Sequence, residues 1–321
     1  MPAPVIWYMT TGQAGFRTQA RGLASRLGPE ARELVVDLRA PWRSLPTALN
    51  PFALKVLTPG SDRPQPPWPD LLISCSRRAA AVSIAVRKAS RGRTLTVHVQ
   101  NPLADPAAFD LVVAMAHDGL SGANVISVPT ALHDVTPERL AAAADAWRDR
   151  LARPGRSLVG VALGGDNRNQ PFTPETAAPL IEGLDRLRRE TGAALAITPS
   201  RRTPESVKAA FAARFGGQEG VFLWDMQGDN PYYGILALSD RLVATSDSVS
   251  MISEALATPH PVEVFGPDGG ARHAQFLNGL LDQGLVRRFA GDPAPGPAGG
   301  PLDSTGAAAA AVRRLLEGRG F

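Results

Sequence analysis

The sequence predicts an α/β protein of two doubly wound domains. Short Val-, Ile- and Leu-rich runs alternate with longer helical patterns, the alternation restarts after Arg153-Pro154-Gly155, and the chain has 321 residues. Continuous apolar runs are how parallel strands read when helices cover both faces of their sheet. At roughly 100–200 residues per domain, the length fits two domains of ordinary size. Apolar residues make up 44% and charged residues 20%. No run of about 18 uncharged apolar residues occurs, so the composition excludes both a disordered chain and a membrane-spanning one.

In the first half, strands are expected at Val5 to Met9, Leu34 to Asp37, Leu71 to Ser74, Leu95 to Val99, Leu111 to Ala114 and Val125 to Val128. Helices are expected at Phe16 to Leu27, Arg77 to Lys88 and Pro137 to Leu151. In the second half, strands fall at Leu158 to Leu163, Ala194 to Thr198, Val221 to Trp224, Leu242 to Thr245 and Val262 to Phe265. Helices lie near Glu175 to Glu190, Pro204 to Phe215, Pro231 to Leu238, Ser248 to Ala257 and Ala271 to Gln283. Pro154 and Gly155 suit a hinge, which divides the chain into 1–153 and 154–303. Residues 304–321 hold a last, alanine-rich helix, tethered by a flexible stretch from Gly291 to Pro301. Between Ala40 and Asp70 the rhythm breaks. Pro41, Pro46, Pro51, Pro59, Pro64, Pro66, Pro67 and Pro69 surround a short helical stretch that carries Trp42, Phe52, Leu54 and Trp68.

The formal charge is +4, and nearly all the basic residues are arginines spread along the chain, with Lys55, Lys88 and Lys208 the lysines. A dispersed excess attracts anionic ligands or lipid headgroups weakly and lacks the basic stripe of a nucleic-acid binder. The single cysteine, Cys75, forms no internal disulfide, and no basic segment precedes the apolar run from Pro4 to Met9, so the expected compartment is the cytoplasm.

Several sites are excluded by pattern. There is no GxxxxGK[ST] loop, and Thr10-Thr11-Gly12-Gln13-Ala14-Gly15 has too few glycines for a dinucleotide fingerprint. No DxD occurs, and His98, His117, His133, His260 and His273 show no ligand spacing with Cys75, so no metal site and no cofactor are expected. What remains are polar clusters just after predicted strands, where open parallel sheets bind ligands. Thr11, Gly12, Gln13 and Gly15 open a helix; its free N–H groups can hold an anion, and the same residues also serve an ordinary strand-to-helix turn. Ser200, Arg201 and Arg202 follow a strand, and planar guanidinium forks match a diphosphate; a solvated basic turn is the plain alternative.

The richest cluster is Ser246-Asp247-Ser248-Val249-Ser250-Met251-Ile252-Ser253-Glu254. At about 100° per residue, Asp247, Ser250 and Glu254 share one face and Ile252, Ala255 and Leu256 the opposite one. The polar face begins at a helix N-terminus, which can take phosphate oxygens, and Glu254 can accept from a ribose diol. Capping by Asp247 or Ser248 would account for the helix start alone. Asn230 reads as an N-cap with Pro231 first in the helix, and Tyr232 or Tyr233 offers a stacking face or joins the core. Gly164 and Gly165, followed by Asp166 and Asn167, allow backbone amides near a phosphate. Gln100, Asn101, His117 and Asp118 also follow strands and would face an acceptor; His117 is the histidine considered as a general base, against a plain loop role.

The run Asp229-Asn230-Pro231-Tyr232 followed by Thr245 through Ala255 closely resembles the signature of the mitochondrial fission family named for elongated mitochondria, whose bacterial members are described as glycosyltransferases. The similarity extends to Thr198-Pro199-Ser200-Arg201-Arg202-Thr203-Pro204, Val97-His98-Val99-Gln100-Asn101-Pro102, Phe109 to Val113, His117-Asp118 and Gly15 to Ala24. This resemblance implies a GT-B architecture of two facing Rossmann-like domains, with a nucleotide-sugar donor on the second and an acceptor on the first. By position, Arg201, Ser248, Ser250 and Glu254 look like donor-side residues, with Gly12, Gln13 and Gly15 in the loop facing the reacting sugar. Many relatives place a histidine where this chain has Phe16, so a base here would have to be another group such as His117 or Asp118.

The leading expectation is a metal-independent glycosyltransferase that moves a sugar from a nucleotide-diphosphate sugar to a lipid-linked or glycan acceptor of the cell envelope, with residues 41–69 resting on the membrane. The alternatives are a non-enzymatic recruitment protein of the fission family and a nucleotide-sugar epimerase or hydrolase on the same fold.

Overall fold

A computed structural model describes residues 3–50, 52–166, 171–267 and 269–321, so Pro51 and Asn167 lie outside the described residues. The chain divides into two compact units, Met1–Asp134 with Asp303–Phe321, and Val135–Leu302. In the first unit β1 (Ile6–Thr10), α1 (Ala14–Ser25), β2 (Ala31–Val35), β3 (Leu71–Cys75), α2 (Arg77–Ala89), β4 (Leu95–Val99), β5 (Leu111–Met115) and β6 (Val125–Val128) follow in sequence. The second holds α3 (Pro137–Leu151), β7 (Leu158–Leu163), α4 (Pro174–Thr191), β8 (Ala194–Pro199), α5 (Glu205–Phe215) and β9 (Val221–Leu223). It continues with α6 (Tyr232–Leu238), β10 (Arg241–Thr245), α7 (Val249–Leu256), β11 (Val262–Phe265), α8 (Ala271–Asp282) and β12 (Arg287–Arg288), and α9 (Ser304–Glu317) belongs to the first unit.

Among the described residues each unit holds a six-stranded parallel sheet, ordered β2-β1-β3-β4-β5-β6 and β12-β11-β10-β7-β8-β9. Successive side chains of a strand point to opposite faces, so each apolar run feeds two cores. Ile6 and Tyr8 pack with α1 and α9, while Trp7 and Met9 pack with α2 and the proline-rich segment. In the second sheet Leu158, Ala196, Leu242 and Val264 meet α6, α7 and α8, and Val161, Ile197 and Val243 meet α4 and α5. Both sheets are therefore covered on both faces, the α/β doubly wound class.

The strand order places a switch point in each sheet. In the second, β7 leads outward to β8 and β9, whereas β10 starts again on the other side of β7. In the first, β1 leads to β2 and β3 begins on the opposite side of β1. The crevice at such a reversal, beyond the carboxyl ends of the strands, is where this class of sheet takes ligands.

Four expectations need correction. The boundary falls at 134/135 rather than 153/154, because α3 packs on α6: a Cβ at Gly234 would sit 2.5 Å from Trp147 Cγ, so the glycine lets the two helices close up. Strand β2 spans 31–35 instead of 34–37; its edge position tolerates Arg32 and Glu33, with the Arg32 guanidinium 5.1 Å from the Trp7 ring centre. The stretch from Gly291 to Pro301 is held on the second unit. Arg241 Nη1 donates to Asp292 O at 2.8 Å and Arg287 Nη2 to Ala294 O at 2.7 Å, and a Cβ at Gly299 would meet Leu285 O at 2.1 Å. Finally, Trp42 and Trp68 are half-buried against Val36, Leu57 and their neighbours, so the proline-rich segment covers one face of the first sheet; its short turns are Trp42–Ser44 and Thr47–Leu49. Leu49 and Phe52 stay 59% and 53% exposed.

Candidate functional site

The sequence-predicted donor residues converge in part on the β7/β10 switch point of the second unit. After β7, Gly164 N–H donates to Thr245 Oγ1 at 2.7 Å and Gly165 N–H to Asp247 Oδ2 at 2.9 Å. Asp247 also accepts from Thr245 Oγ1 at 2.6 Å and from Arg202 Nη2 at 2.9 Å. Its carboxylate is thus turned inward, neutralised by a guanidinium and tied to two loops. Ser200 Oγ donates to Gly164 O at 2.9 Å, as does the Thr203 hydroxyl, so the loops after β7, β8 and β10 form one framework. Both glycines are required sterically: a Cβ at Gly164 would lie 2.2 Å from Asp247 Oδ1, and one at Gly165 would lie 2.0 Å from Arg202 O.

The β10 loop continues into α7. Ser246 N–H donates to Phe265 O at 2.7 Å and its hydroxyl to Pro267 O at 2.7 Å, which joins β10 to the end of β11. His273 Nε2 meets Ser246 O; a carbonyl only accepts, so Nε2 carries the hydrogen. Ser248 is the N-cap and accepts from Met251 N–H at 3.4 Å, while Ser250 and Met251 are half-buried in the first turn. Beside this helix start is a hollow of about 180 Å³ lined by Gly165, Phe172, Thr176, Ser246, Asp247 and Phe265, among others. Phe172, Thr176, Phe265 and His273 were missed in the sequence; the Gly266-Pro267 pair after β11 was the available signal.

Other predicted groups stand apart from this hollow. Glu254 is 8% exposed and does not line it; Tyr232 donates its hydroxyl to Glu254 Oε2 at 2.6 Å. The polar face expected through Glu254 is therefore turned into the protein one turn beyond the helix start, where Ser253 is buried too. Helix α6 begins at Tyr232 rather than Pro231, and Asn230 Oδ1 still accepts the Tyr232 N–H at 2.9 Å. Tyr233 lies edge-on to Tyr232, with the Arg139 guanidinium 3.8 Å from its ring centre. Arg201 is exposed in the turn after β8, so of the expected arginine pair it is Arg202 that enters the framework.

In the first unit Gly12, at φ +86°, donates its N–H to Thr10 Oγ1 at 3.1 Å, Thr11 bonds Gln13 Oε1, and Gly15 lies in the first turn of α1. Gln100 Nε2 donates to Gln19 Oε1 at 3.3 Å, and Asn101 Oδ1 accepts Leu103 N–H at 2.9 Å. His117 and Asp118 share one short turn, with Nε2 3.7 Å from Oδ1, and their side chains are 7% and 1% exposed. His98 is fully buried against Phe109, with Nδ1 2.9 Å from Ser74 Oγ, and burial pushes its pKa down to about 3. Among the described residues no three His, Cys, Asp or Glu side chains gather as a metal-holding group, and no helix is long and apolar enough to cross a membrane.

Solved structures share the fold across nearly the whole chain. The UDP-GlcNAc 2-epimerase of Methanocaldococcus jannaschii superposes with a TM-score of 0.57 at 10% identity, covering 98% of this chain and 100% of that one. The glycosyltransferase SnogD of Streptomyces nogalater gives 0.51 at 15% identity, covering 91% and 88%. By sequence, the Arabidopsis thaliana mitochondrial fission protein ELM1 is 30% identical over 279 residues, which span 79% of this chain and 65% of the plant protein. Residues 14–316 match the family described as mitochondrial fission ELM1, and the chain belongs to that family.

Proposed function

We propose that the second unit binds a nucleotide-diphosphate sugar and that the protein transfers the sugar, without a metal, to a glycolipid or polysaccharide acceptor of the cell envelope. One observation carries the reading: at a topological switch point, Gly165, Ser246 and Asp247, fixed by the hydrogen bonds that tie the β7 and β10 loops together and to Arg202, line one hollow just ahead of the start of α7. Of the two solved structures described above, one is named for UDP-GlcNAc and the other for glycosyl transfer. In this scheme the diphosphate lies against the amide of Ser250 and the hydroxyl of Ser248 at the start of α7. Arg201, exposed beside it, closes over the leaving group. Asp247 positions Gly165 and Arg202 and keeps its charge away from the phosphate. Glu254, expected to take the ribose hydroxyls, is instead held inside the protein by the Tyr232 hydroxyl, where it fixes α7 behind its N-terminus. As the bond from the anomeric carbon to the diphosphate oxygen breaks, guanidinium and amide dipoles stabilise the charge left on that oxygen. The acceptor oxygen bonds the carbon and gives its proton to a general base.

A thermal-shift series with UDP, GDP, ADP and their sugars tests this reading. A nucleoside diphosphate at a hundred times its Kd adds about 2.7 kcal/mol to the native state, or roughly 5–10 °C in Tm. Arg202→Ala is expected to remove most of that shift. If none of these nucleotides moves the transition at millimolar concentration, the donor reading fails.

A second reading is favoured by the enclosed His117 and Asp118 side chains and by Phe16: a family member that binds partners and turns over no donor. Nucleotide release measured with and without acceptor separates the readings. A transferase releases it only with acceptor, an epimerase or hydrolase converts the donor alone, and a recruitment protein does neither. Among the described residues of the proline-rich segment, Leu49 and Phe52 are the large apolar side chains exposed enough to touch a membrane. Leu49→Asp with Phe52→Asp is expected to abolish flotation with liposomes at unchanged Tm; equal flotation would remove the membrane contact from the proposal.

A further inference from the structure

The first unit has a switch point of its own, between β1 and β3, and a hollow of about 350 Å³ opens there. Thr11, Phe16, Arg43, Ser76, Arg77 and Arg78 are among its lining residues. Three guanidinium groups thus border one cavity. Arg78 Nη1 is balanced by Asp37 Oδ1 at 2.5 Å. Arg77 donates to the carbonyls of Leu45 at 2.7 Å and Arg43 at 2.9 Å, and among the described residues its charge meets no carboxylate. The Arg43 guanidinium is exposed and pairs with no acidic residue among the described residues. Two of the three positive charges are therefore uncompensated.

Arg77 and Arg78 are also the first two residues of α2, whose first turn holds no acidic residue. A helix N-terminus carries about half a positive charge, so this placement opposes the usual preference for acids there. The concentration of like charge around a cavity is relieved when an anion enters. Thr11 and Ser76 supply hydroxyls 3.2 Å apart on the same wall, and Arg77 holds the turn that carries Arg43 against α2. We infer that this hollow is an oxyanion site of the first unit, for a phosphate or diphosphate group, distinct from the hollow at the β7/β10 switch point. If the proposed transfer holds, the acceptor is a phosphorylated molecule; the binding itself does not depend on that reading.

Calorimetric titration of inorganic pyrophosphate into the full chain tests the inference, with Arg202→Ala included so that loss at the donor hollow is read separately. Wild type and Arg202→Ala are expected to share one binding event that Arg43→Ala weakens about tenfold and Arg43→Glu abolishes. Arg43 is exposed and unpaired, so these variants keep the fold; Arg78→Gln, expected to weaken the same event, gives a second reading. A vesicle arm compares phosphatidylcholine with and without phosphatidate. Capture that requires phosphatidate and is lost in Arg43→Glu assigns the group to a lipid headgroup, and pyrophosphate binding without capture assigns it to a soluble ligand. Equal binding by Arg43→Glu and wild type, or absence of the event from both wild type and Arg202→Ala, overturns the site, whatever the nucleotide series shows.

Discussion

Gly165→Ala is expected to weaken nucleoside diphosphate binding about a hundredfold, equivalent to about 2.7 kcal/mol, while both sheets stay folded. The added methyl would lie 2.0 Å from Arg202 O and 2.3 Å from Arg202 C, which are backbone atoms that cannot rotate aside. The loop after β7 or the loop after β8 must move. Either movement pulls Gly165 N–H from Asp247 and Asp247 from Arg202, and these contacts hold the walls of the hollow. Overpacking of this kind costs about 1–3 kcal/mol of stability, so calorimetry is expected to show a lowered but cooperative transition. Gly279→Ala in α8 is the control, since nothing lies within 4 Å of its added carbon. There the substitution is expected to be neutral or to stabilise by up to about 1 kcal/mol. A Gly165→Ala chain that binds nucleotide as wild type does would remove the β7 loop from the donor site.

This glycine also marks how far the sequence could be read. Gly164-Gly165 was legible as a loop that brings backbone close to something, because glycines after a strand have that use. That the neighbours are Asp247 and Arg202 was not legible. Each was read as facing a ligand, and they face one another across 45 positions of sequence. Periodicity reports which residues share a face of one element; it does not report which charges meet between elements. His117 and Asp118 illustrate the same limit, since their adjacency was plain and their enclosure was not. The strands were legible where burial on both faces demands apolar runs, as at Leu71–Cys75. They were shifted or missed at the sheet edges. Strand β2 carries Arg32 and Glu33, and β12 consists of Arg287 and Arg288, residues that read as loop until a partner for their charge is known. The ownership of α3 was hidden for a related reason: the Trp147 and Gly234 contact spans the whole of β7 to β9.

Glu263→Ala is expected to destabilise the second unit by about 3–5 kcal/mol, the range for stripping one partner from a buried ion pair. Glu263 is fully buried in β11 and serves two neighbours at once. Oε2 accepts from Arg241 Nε of β10 at 2.9 Å, and Oε1 from Arg287 Nε of β12 at 2.9 Å and from Gly296 N–H at 3.2 Å. The Arg241 side chain is 5% exposed, so removal of the carboxylate strands its charge with the carbonyls of Asp292 and Pro293 and the face of the Phe289 ring to meet it. The loss spreads beyond the pair. The same triad clamps the segment from Gly291 to Pro301, which otherwise has prolines and glycines and little apolar surface to hold it down. Replacing Arg241 by Met and Glu263 by Leu together is expected to recover most of the loss, because an apolar pair of similar volume removes the buried charge along with its partner. Scanning calorimetry of the full chain resolves the two outcomes. A Glu263→Ala transition within about 1 kcal/mol of wild type, no more than a surface ion pair contributes, would mean that the triad is solvated in solution.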